Sequence, residues 1–298
     1  MKLGDIKKVG VIGAGAMGNQ IAEFLARQSG YEVNIVDTTE ELVNKGIKAL
    51  DDRLERFFVA KGKISAEDKK AIMSRIKPFV KMEEAVKDVD LVIECVFELM
   101  SLKQEVFKQL DEYSPKETIL ATNSSTLNIT EIGAVTKRPG KVVGMHFFSP
   151  VAVMKLVEVV NGSLTSQETT DLIKSFAKKL DKEPVVCRDT SYGYLANRAY
   201  GGLRREVLQM VWEKVASPQD IDKALKLGYN FPVGPLEFGD MSGTWGRYVT
   251  MEPDRIKELG PVVGQNPPIL VAMVRAGYVG GPGKKGIYAF WDEVLSKW

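Results

Sequence analysis

Apolar positions change their period along the chain, and the change divides it. Up to about residue 187, short β-branched runs alternate with stretches whose apolar residues recur at three- and four-residue spacing. That alternation predicts strands separated by amphipathic helices. Val9-Gly10-Val11-Ile12 has the look of a buried parallel strand. Ile21, Ala22, Phe24 and Leu25 then share one helical face, and Val33-Asn34-Ile35-Val36 is the second strand. Further strands are predicted at 89–93, 119–122, 142–145, 156–160 and 185–187, with a helix over 166–180. Another helix opens at Glu98 and Lys103, with Leu99, Leu102, Val106, Phe107 and Leu110 on its buried face. After Asp189 the strand signals fade. Helices are predicted over 194–212, from Pro218 behind a Ser217 cap to Gly228, around 238–251 and, last, over 269–276. The pattern reads as an α/β fold: a Rossmann-type, mostly parallel doubly wound sheet over 1–187, then a smaller all-helical domain over 188–298. The cleft between such domains is the natural place for a substrate.

The first domain carries an inserted helical pair over about 40–77. Thr38-Thr39-Glu40-Glu41 reads as a capping box, and Val43, Ile47, Leu50, Leu54 and Phe57 follow at helical spacing. Ser65-Ala66-Glu67-Asp68 caps a second helix containing Ile72 and Ile76, which Pro78 ends. Between Lys45 and Lys81 stand eleven Lys/Arg against five Asp/Glu, in a chain whose net charge is only +2. Such an excess suits an anionic ligand, although a solvated helix face accounts for it too.

Composition adds exclusions. With 44% hydrophobic and 27% charged residues the chain is an ordinary globular protein, and its small net charge gives no argument for nucleic acid or membrane. No run reaches transmembrane length and no leader precedes the first strand, which leads us to expect a cytoplasmic location. Cys95 and Cys187 read as small buried hydrophobes, not as a disulfide.

The chemistry gathers at strand ends. Gly13-Ala14-Gly15-Ala16-Met17-Gly18 sits between the first strand and its helix, the context in which G-x-G-x-x-G binds a dinucleotide. Asp37, 24 residues after Gly13, is placed to accept ribose hydroxyls and to repel a 2′-phosphate, which selects NAD over NADP. Glu94, Asn123 and His146 also fall at carboxyl ends of predicted strands, the edge where open α/β sheets bind ligands. His146 is the only histidine, and histidine titrates near neutrality. Twelve residues on, Glu158 stands in an apolar run and needs a partner, for which the imidazole is the obvious candidate.

These residues resemble the short-chain L-3-hydroxyacyl-CoA dehydrogenases, including 3-hydroxybutyryl-CoA dehydrogenases, over nearly the whole chain. The resemblance is carried by the glycine motif, by 121–126, by His146-Phe147-Phe148-Ser149-Pro150 and 153–160, by Cys187-Arg188-Asp189-Thr190, by Asn197-Arg198, and by Lys226-Leu227-Gly228 before Pro232-Val233-Gly234-Pro235. It implies an NAD-dependent oxidoreductase of fatty-acid β-oxidation type, a homodimer through its helical domain, and a catalytic His146–Glu158 pair. It implies that Ser125 and Asn197 hydrogen-bond the reacting oxygen. Glu98 and Lys103 match NAD-binding positions, Ser149 falls where some members use an asparagine near the nicotinamide, Asn123 is a further cofactor-binding candidate, and the basic arm, with Lys48, Arg53 and Arg56, matches the segment that meets coenzyme A. Three departures stand out: one extra residue between Thr190 and Asn197, Ser149 where some members have asparagine, and no lysine at the usual place near Pro282. Tyr192, Tyr194, Trp245 and Arg247 further suggest an aryl, alicyclic or dicarboxylic acyl group, although a place in the dimer interface or the helical core accounts for them too. Rival readings are a 3-hydroxy acid dehydrogenase on free acids, which uses a lysine, and a non-catalytic NAD-binding protein.

Overall fold

The computed structural model describes residues 1–297, the side chains of Val262 and Val263 apart. The chain forms two compact units, Met1–Tyr194 and Leu195–Trp298.

In the first unit the elements run β1 (Lys8–Ile12), α1 (Gly18–Gln28), β2 (Glu32–Val36), α2 (Glu40–Leu54), α3 (Ala66–Ser74), β3 (Ile76–Phe79), α4 (Met82–Val86), β4 (Leu91–Glu94), α5 (Met100–Tyr113), β5 (Ile119–Thr122), α6 (Ile129–Gly133), β6 (Val142–Phe147), β7 (Leu156–Asn161), α7 (Gln167–Lys179) and β8 (Glu183–Arg188). One sheet holds all eight strands in the order β3-β2-β1-β4-β5-β6-β7-β8. The first six are parallel; β7 runs antiparallel to β6, and β8 parallel to β7. Order 3-2-1-4-5-6 is that of dinucleotide-binding sheets, with the reversal between β1 and β4. Val9, Val11, Ile35 and Ile93 pack into one core, while Ile12, Val36, Val92 and Leu120 pack into a second. The inner strands are buried on both faces, which explains why they read as continuous apolar runs, whereas the edge strands β3 and β8 are partly exposed.

Several expectations change. Ile76 and Pro78 do not end a helix; they form the edge strand β3, paired with β2. Lysine and proline disguised it, yet an edge strand tolerates both. Thr39 caps α2 by accepting from the Leu42 amide at 3.3 Å, so the predicted capping box is a single cap. The box at Ser65 and Asp68 does form. A π turn at Glu55–Val59 shifts the helical phase, and Phe57 is exposed rather than buried. Leu99 precedes α5 and is exposed as well.

The second unit comprises α8 (Ala196–Trp212), α9 (Pro218–Tyr229), α10 (Pro235–Ser242), α11 (Trp245–Thr250), α12 (Glu252–Leu259), α13 (Pro261–Gly264), α14 (Pro268–Arg275) and α15 (Ile287–Glu293). The single helix expected around 238–251 is broken at Gly243, whose φ of +65° suits glycine. The helix expected to be last is followed by α15, whose start is tied to Asp240 through the Ile287 amide at 2.7 Å. Trp245 does not line an acyl site. It is 0% exposed in the core of this unit, its indole N–H donating to Asp240 Oδ1 at 2.7 Å. A side chain on Gly239 would stand 2.0 Å from that ring, so the indole occupies the space glycine leaves.

Candidate active site

The glycine turn divides its labour among three residues. Gly13 has φ +96°, which favours glycine, and an added Cβ would crowd the Cys95 carbonyl at 3.0 Å. At Gly18 the same atom would stand 1.8 Å from the Gly13 carbonyl oxygen, so the helix packs on the turn only without a side chain. Gly15 would meet nothing within 4 Å; its bareness serves no contact within the protein and leaves room for a ligand. Ala16 and Met17 lead into α1, which has no acidic residue in its first turn, and the amides there face an anion without competition. Asp37 is fixed at the end of β2: Oδ2 accepts from the Ala14 amide at 2.8 Å and Oδ1 from the Thr38 amide at 2.7 Å. A bare backbone beside a carboxylate at a strand end fits a dinucleotide with free ribose hydroxyls.

Beside it lies a buried ionic cluster. Lys103, 1% exposed, bonds both oxygens of Glu94 at 2.8 and 3.0 Å, and Glu94 also accepts from Thr122 at 2.6 Å. Glu98 Oε1 accepts from the Ser125 and Thr126 amides at 2.7 and 2.8 Å and from the Ser124 and Thr126 hydroxyls at 2.8 and 2.9 Å. Burial pushes the Glu98 carboxyl up, but Lys103 and these donors outweigh it and hold it below the usual carboxylate range. Glu98 thus shapes the loop that carries Ser125, whose hydroxyl donates to the same oxygen more loosely, at 3.2 Å.

His146 lies within β6, one residue further inside the strand than expected, and Glu158 is its register partner on β7. Nδ1 is 2.8 Å from Glu158 Oε2, with Glu158 0% and His146 5% exposed. A buried carboxylate against Nδ1 fixes the proton there and leaves Nε2 as the reactive nitrogen. Among the described residues Nε2 has no hydrogen-bond partner. Asn123 Oδ1 accepts from the Phe147 amide at 2.8 Å, tying the end of β5 to the histidine strand.

Three contributors escaped the sequence reading. Gln20, on α1, accepts from the Val151 amide at 3.0 Å and reaches Ser149 Oγ at 3.5 Å. Lys182, 3% exposed, donates to the Val151 and Met154 carbonyls and lies over the Phe24 ring at 4.1 Å. Its pKa is pushed down to about 8 by burial. Together they strap the 148–155 loop; nothing in a surface-type lysine or glutamine announced it. Tyr194, expected beside the acyl group, is instead buried 6.0 Å from His146, ring edge to ring, with its hydroxyl on the Leu127 carbonyl at 2.6 Å. The extra residue before Asn197 is taken up where Gly193 and Tyr194 both adopt positive φ.

The basic arm splits. Lys48 and Arg56 are exposed, Arg56 lying over the Phe57 ring at 5.2 Å. Arg53 turns inward to Asn19, which itself bonds the Gly15 carbonyl at 2.6 Å. Arg53 therefore stands behind the glycine turn. Asn197 belongs to the second unit, exposed in the first turn of α8.

The profile described as 3-hydroxyacyl-CoA dehydrogenase, NAD binding domain, matches residues 8–190, and that of the C-terminal domain of the same enzymes matches 193–290. This chain belongs to the 3-hydroxyacyl-CoA dehydrogenase family. It is similar to a 3-hydroxybutyryl-CoA dehydrogenase of Clostridioides difficile, 41% identical over 95% of this chain and 99% of the relative. The human mitochondrial hydroxyacyl-coenzyme A dehydrogenase is 40% identical over 80% of this chain and 76% of its own. The crystal structure of (S)-3-hydroxybutyryl-CoA dehydrogenase from Ralstonia eutropha superposes with a TM-score of 0.88 at 35% identity, covering 95% of this chain and 99% of that one. As a family member the protein is an oxidoreductase whose first unit is the NAD-binding domain.

Proposed function

We propose that the protein interconverts a 3-hydroxyacyl-CoA and the corresponding 3-oxoacyl-CoA, with His146 as the acid/base. The observation that carries this reading is an imidazole whose Nδ1 is committed to a buried carboxylate while Nε2 has no partner among the described residues. In the oxidising direction Nε2 takes the proton of the C3 hydroxyl, and Glu158 stabilises the imidazolium that results. NAD, held by Gly13, Gly15, Ala16, Met17, Gly18 and Asp37, supplies the hydride acceptor. Ser125 and Asn197 donate to the C3 oxygen. Ser125 can be released from Glu98 at little cost, because four other donors satisfy that oxygen. Glu98 and Lys103 serve the dinucleotide by fixing the 124–126 loop, and Asn123 and Ser149 by fixing the walls beside it. NADH consumption with acetoacetyl-CoA, absent with free acetoacetate, tests the activity; equal rates with the free acid would favour the 3-hydroxy acid dehydrogenase reading.

Asp37→Ala is expected to erode the preference for NAD over NADP at least tenfold, measured as the ratio of kcat/KM values. A wild-type preference for NADPH would show that the carboxylate does not select the cofactor.

The exposed part of the arm is the coenzyme A end. Phe57, 43% exposed, lies between Arg56 and Lys61, a surface on which an adenine can stack with phosphates nearby. Charge removal at Lys48 and Arg56 together should raise KM for the thioester several-fold at low salt and less at high salt, since screening weakens exposed pairs. An unchanged KM at low ionic strength returns the arm to a solvated face. Arg53 is left out of that test because it faces the glycine turn.

Self-association is supported by exposed apolar residues on the helical unit: Leu227, Tyr229, Phe238 and Met241. The expected species is a homodimer; sedimentation as a 33.0 kDa monomer would refute it. Two unbridged cysteines suit a reducing, cytoplasmic setting.

A further inference from the structure

Helix α8 presents one face on which Asn197, Gly201 and Arg204 follow at i, i+4 and i+7. Exposure falls along it. Asn197 is exposed, Gly201 is half-buried, and Arg204 is 7% exposed. The Arg204 side chain runs back toward the helix start, as helical side chains do. One of its terminal nitrogens lies 3.9 Å from where a Cβ on Gly201 would stand. The guanidinium is stacked on the Tyr248 ring, 3.4 Å from its centroid.

Two features of this face have no use among the described residues. Nε of Arg204 is buried without a hydrogen-bond partner among them. Among the described residues the groups that act on the guanidinium are Tyr248, which also hydrogen-bonds it, Tyr200 and the second cation Arg205, with no carboxylate among them. Burying a cation without a counter-charge is costly, and a guanidinium with an unmet Nε can still take a carboxylate. The second feature is the pair Gly201-Gly202 inside the helix, where each glycine costs about 0.5–1 kcal/mol relative to alanine. No packing demands them: a Cβ on Gly202 would meet nothing within 4 Å, and one on Gly201 only the guanidinium. Neither has a positive φ. The pair keeps the face bare between Asn197 and Arg204.

We propose that the acyl tail of the substrate lies on this bare face and that Arg204 binds a carboxylate at its far end, which makes the substrate a dicarboxylic 3-hydroxyacyl-CoA. The proposal rests on the reading of Asn197 as a donor to the C3 oxygen. The helical rise from Asn197 to Gly201 is about 6 Å, so the far end of a short acyl chain comes within reach of the guanidinium. With a methyl-ended chain the buried guanidinium stays unpaired, and such sites discriminate strongly against analogues that lack the matching group.

The experiment compares kcat/KM for 3-oxoadipyl-CoA and 3-oxohexanoyl-CoA, equal in carbon count, with acetoacetyl-CoA as reference. We expect the wild type to favour the carboxylate-ended substrate at least thirtyfold, Arg204→Met to bring the ratio near one, and Arg204→Lys to fall between, since a point charge lacks the fork. Gly201→Val fills the face without touching the charge, and should lower kcat/KM for 3-oxoadipyl-CoA at least tenfold more than for acetoacetyl-CoA. Turnover of acetoacetyl-CoA with a six-carbon ratio below three overturns the subsite alone. So does a preference that survives in Arg204→Met, or, if that variant fails to fold, one unchanged in both Arg204→Lys and Gly201→Val. No turnover of any thioester overturns the proposed activity and the subsite with it.

Discussion

Replacing His146 by glutamine is expected to lower kcat with acetoacetyl-CoA by about 10³-fold while leaving NADH affinity within a few-fold of wild type. The magnitude follows from general acid–base catalysis, which contributes ~10²–10⁴. The separation follows from the fold: the residues proposed to hold the dinucleotide sit at β1 and β2, whereas His146 sits on β6, three strands from β1. Glutamine cannot relay a proton, yet it can still reach Glu158. Glu158→Gln should act in the same direction, about 10²-fold. The amide can accept from Nδ1–H but carries no charge to stabilise the imidazolium, and by flipping it can donate to Nδ1 and impose the wrong tautomer. Stopped-flow turnover beside a fluorescence titration of NADH separates the two quantities. A His146→Gln enzyme that retains a tenth of its kcat removes the histidine from the chemistry.

The second large effect is on stability. Lys103→Met would leave Glu94, 0% exposed, without the ammonium that bonds both its oxygens. Breaking a buried pair by removing one partner typically costs ~3–5 kcal/mol, because a charge stays behind unpaired. At about 2–4 °C per kcal/mol for a unit of this size, the expected fall in Tm is about 10 °C. Glu94→Gln combined with Lys103→Met should recover most of it, since neither charge remains. Calorimetry of the single and double variants decides. If the single variant keeps its Tm but loses NADH affinity, Lys103 touches the cofactor directly.

Lys103 also shows where the sequence was legible. The resemblance singled it out as a cofactor candidate, but its burial could not be read, because a lysine in an amphipathic stretch reads as surface. The parallel strands were legible because burial on both faces writes itself as unbroken apolar runs. Strand β3 was not, since Lys77 and Pro78 break that run at an edge, where no second neighbour demands it. Periodicity tracked α2 and lost Phe57, because a π turn changes the angle per residue. Trp245 could be read toward a ligand or toward the helical core, and the facts that decide for the core, the space at Gly239 and the acceptor at Asp240, come from tertiary packing. Arg204 offered the reverse case. In sequence it is one of a pair of ordinary helix arginines, and only its stacking and unmet Nε distinguish it.

The ladder joining β6 to β7 has a consequence for engineering. His146 and Glu158 are opposite one another in an antiparallel register held by main-chain bonds on both sides of the pair. The loop between the strands does not set that register; the apolar faces of the strands do, because a slip of one residue would turn every inward side chain outward. Loop 148–155 can therefore change sequence without shifting the His146–Glu158 pairing, provided that a graft keeps an apolar residue at Val151 and the two carbonyls that satisfy the buried Lys182 ammonium.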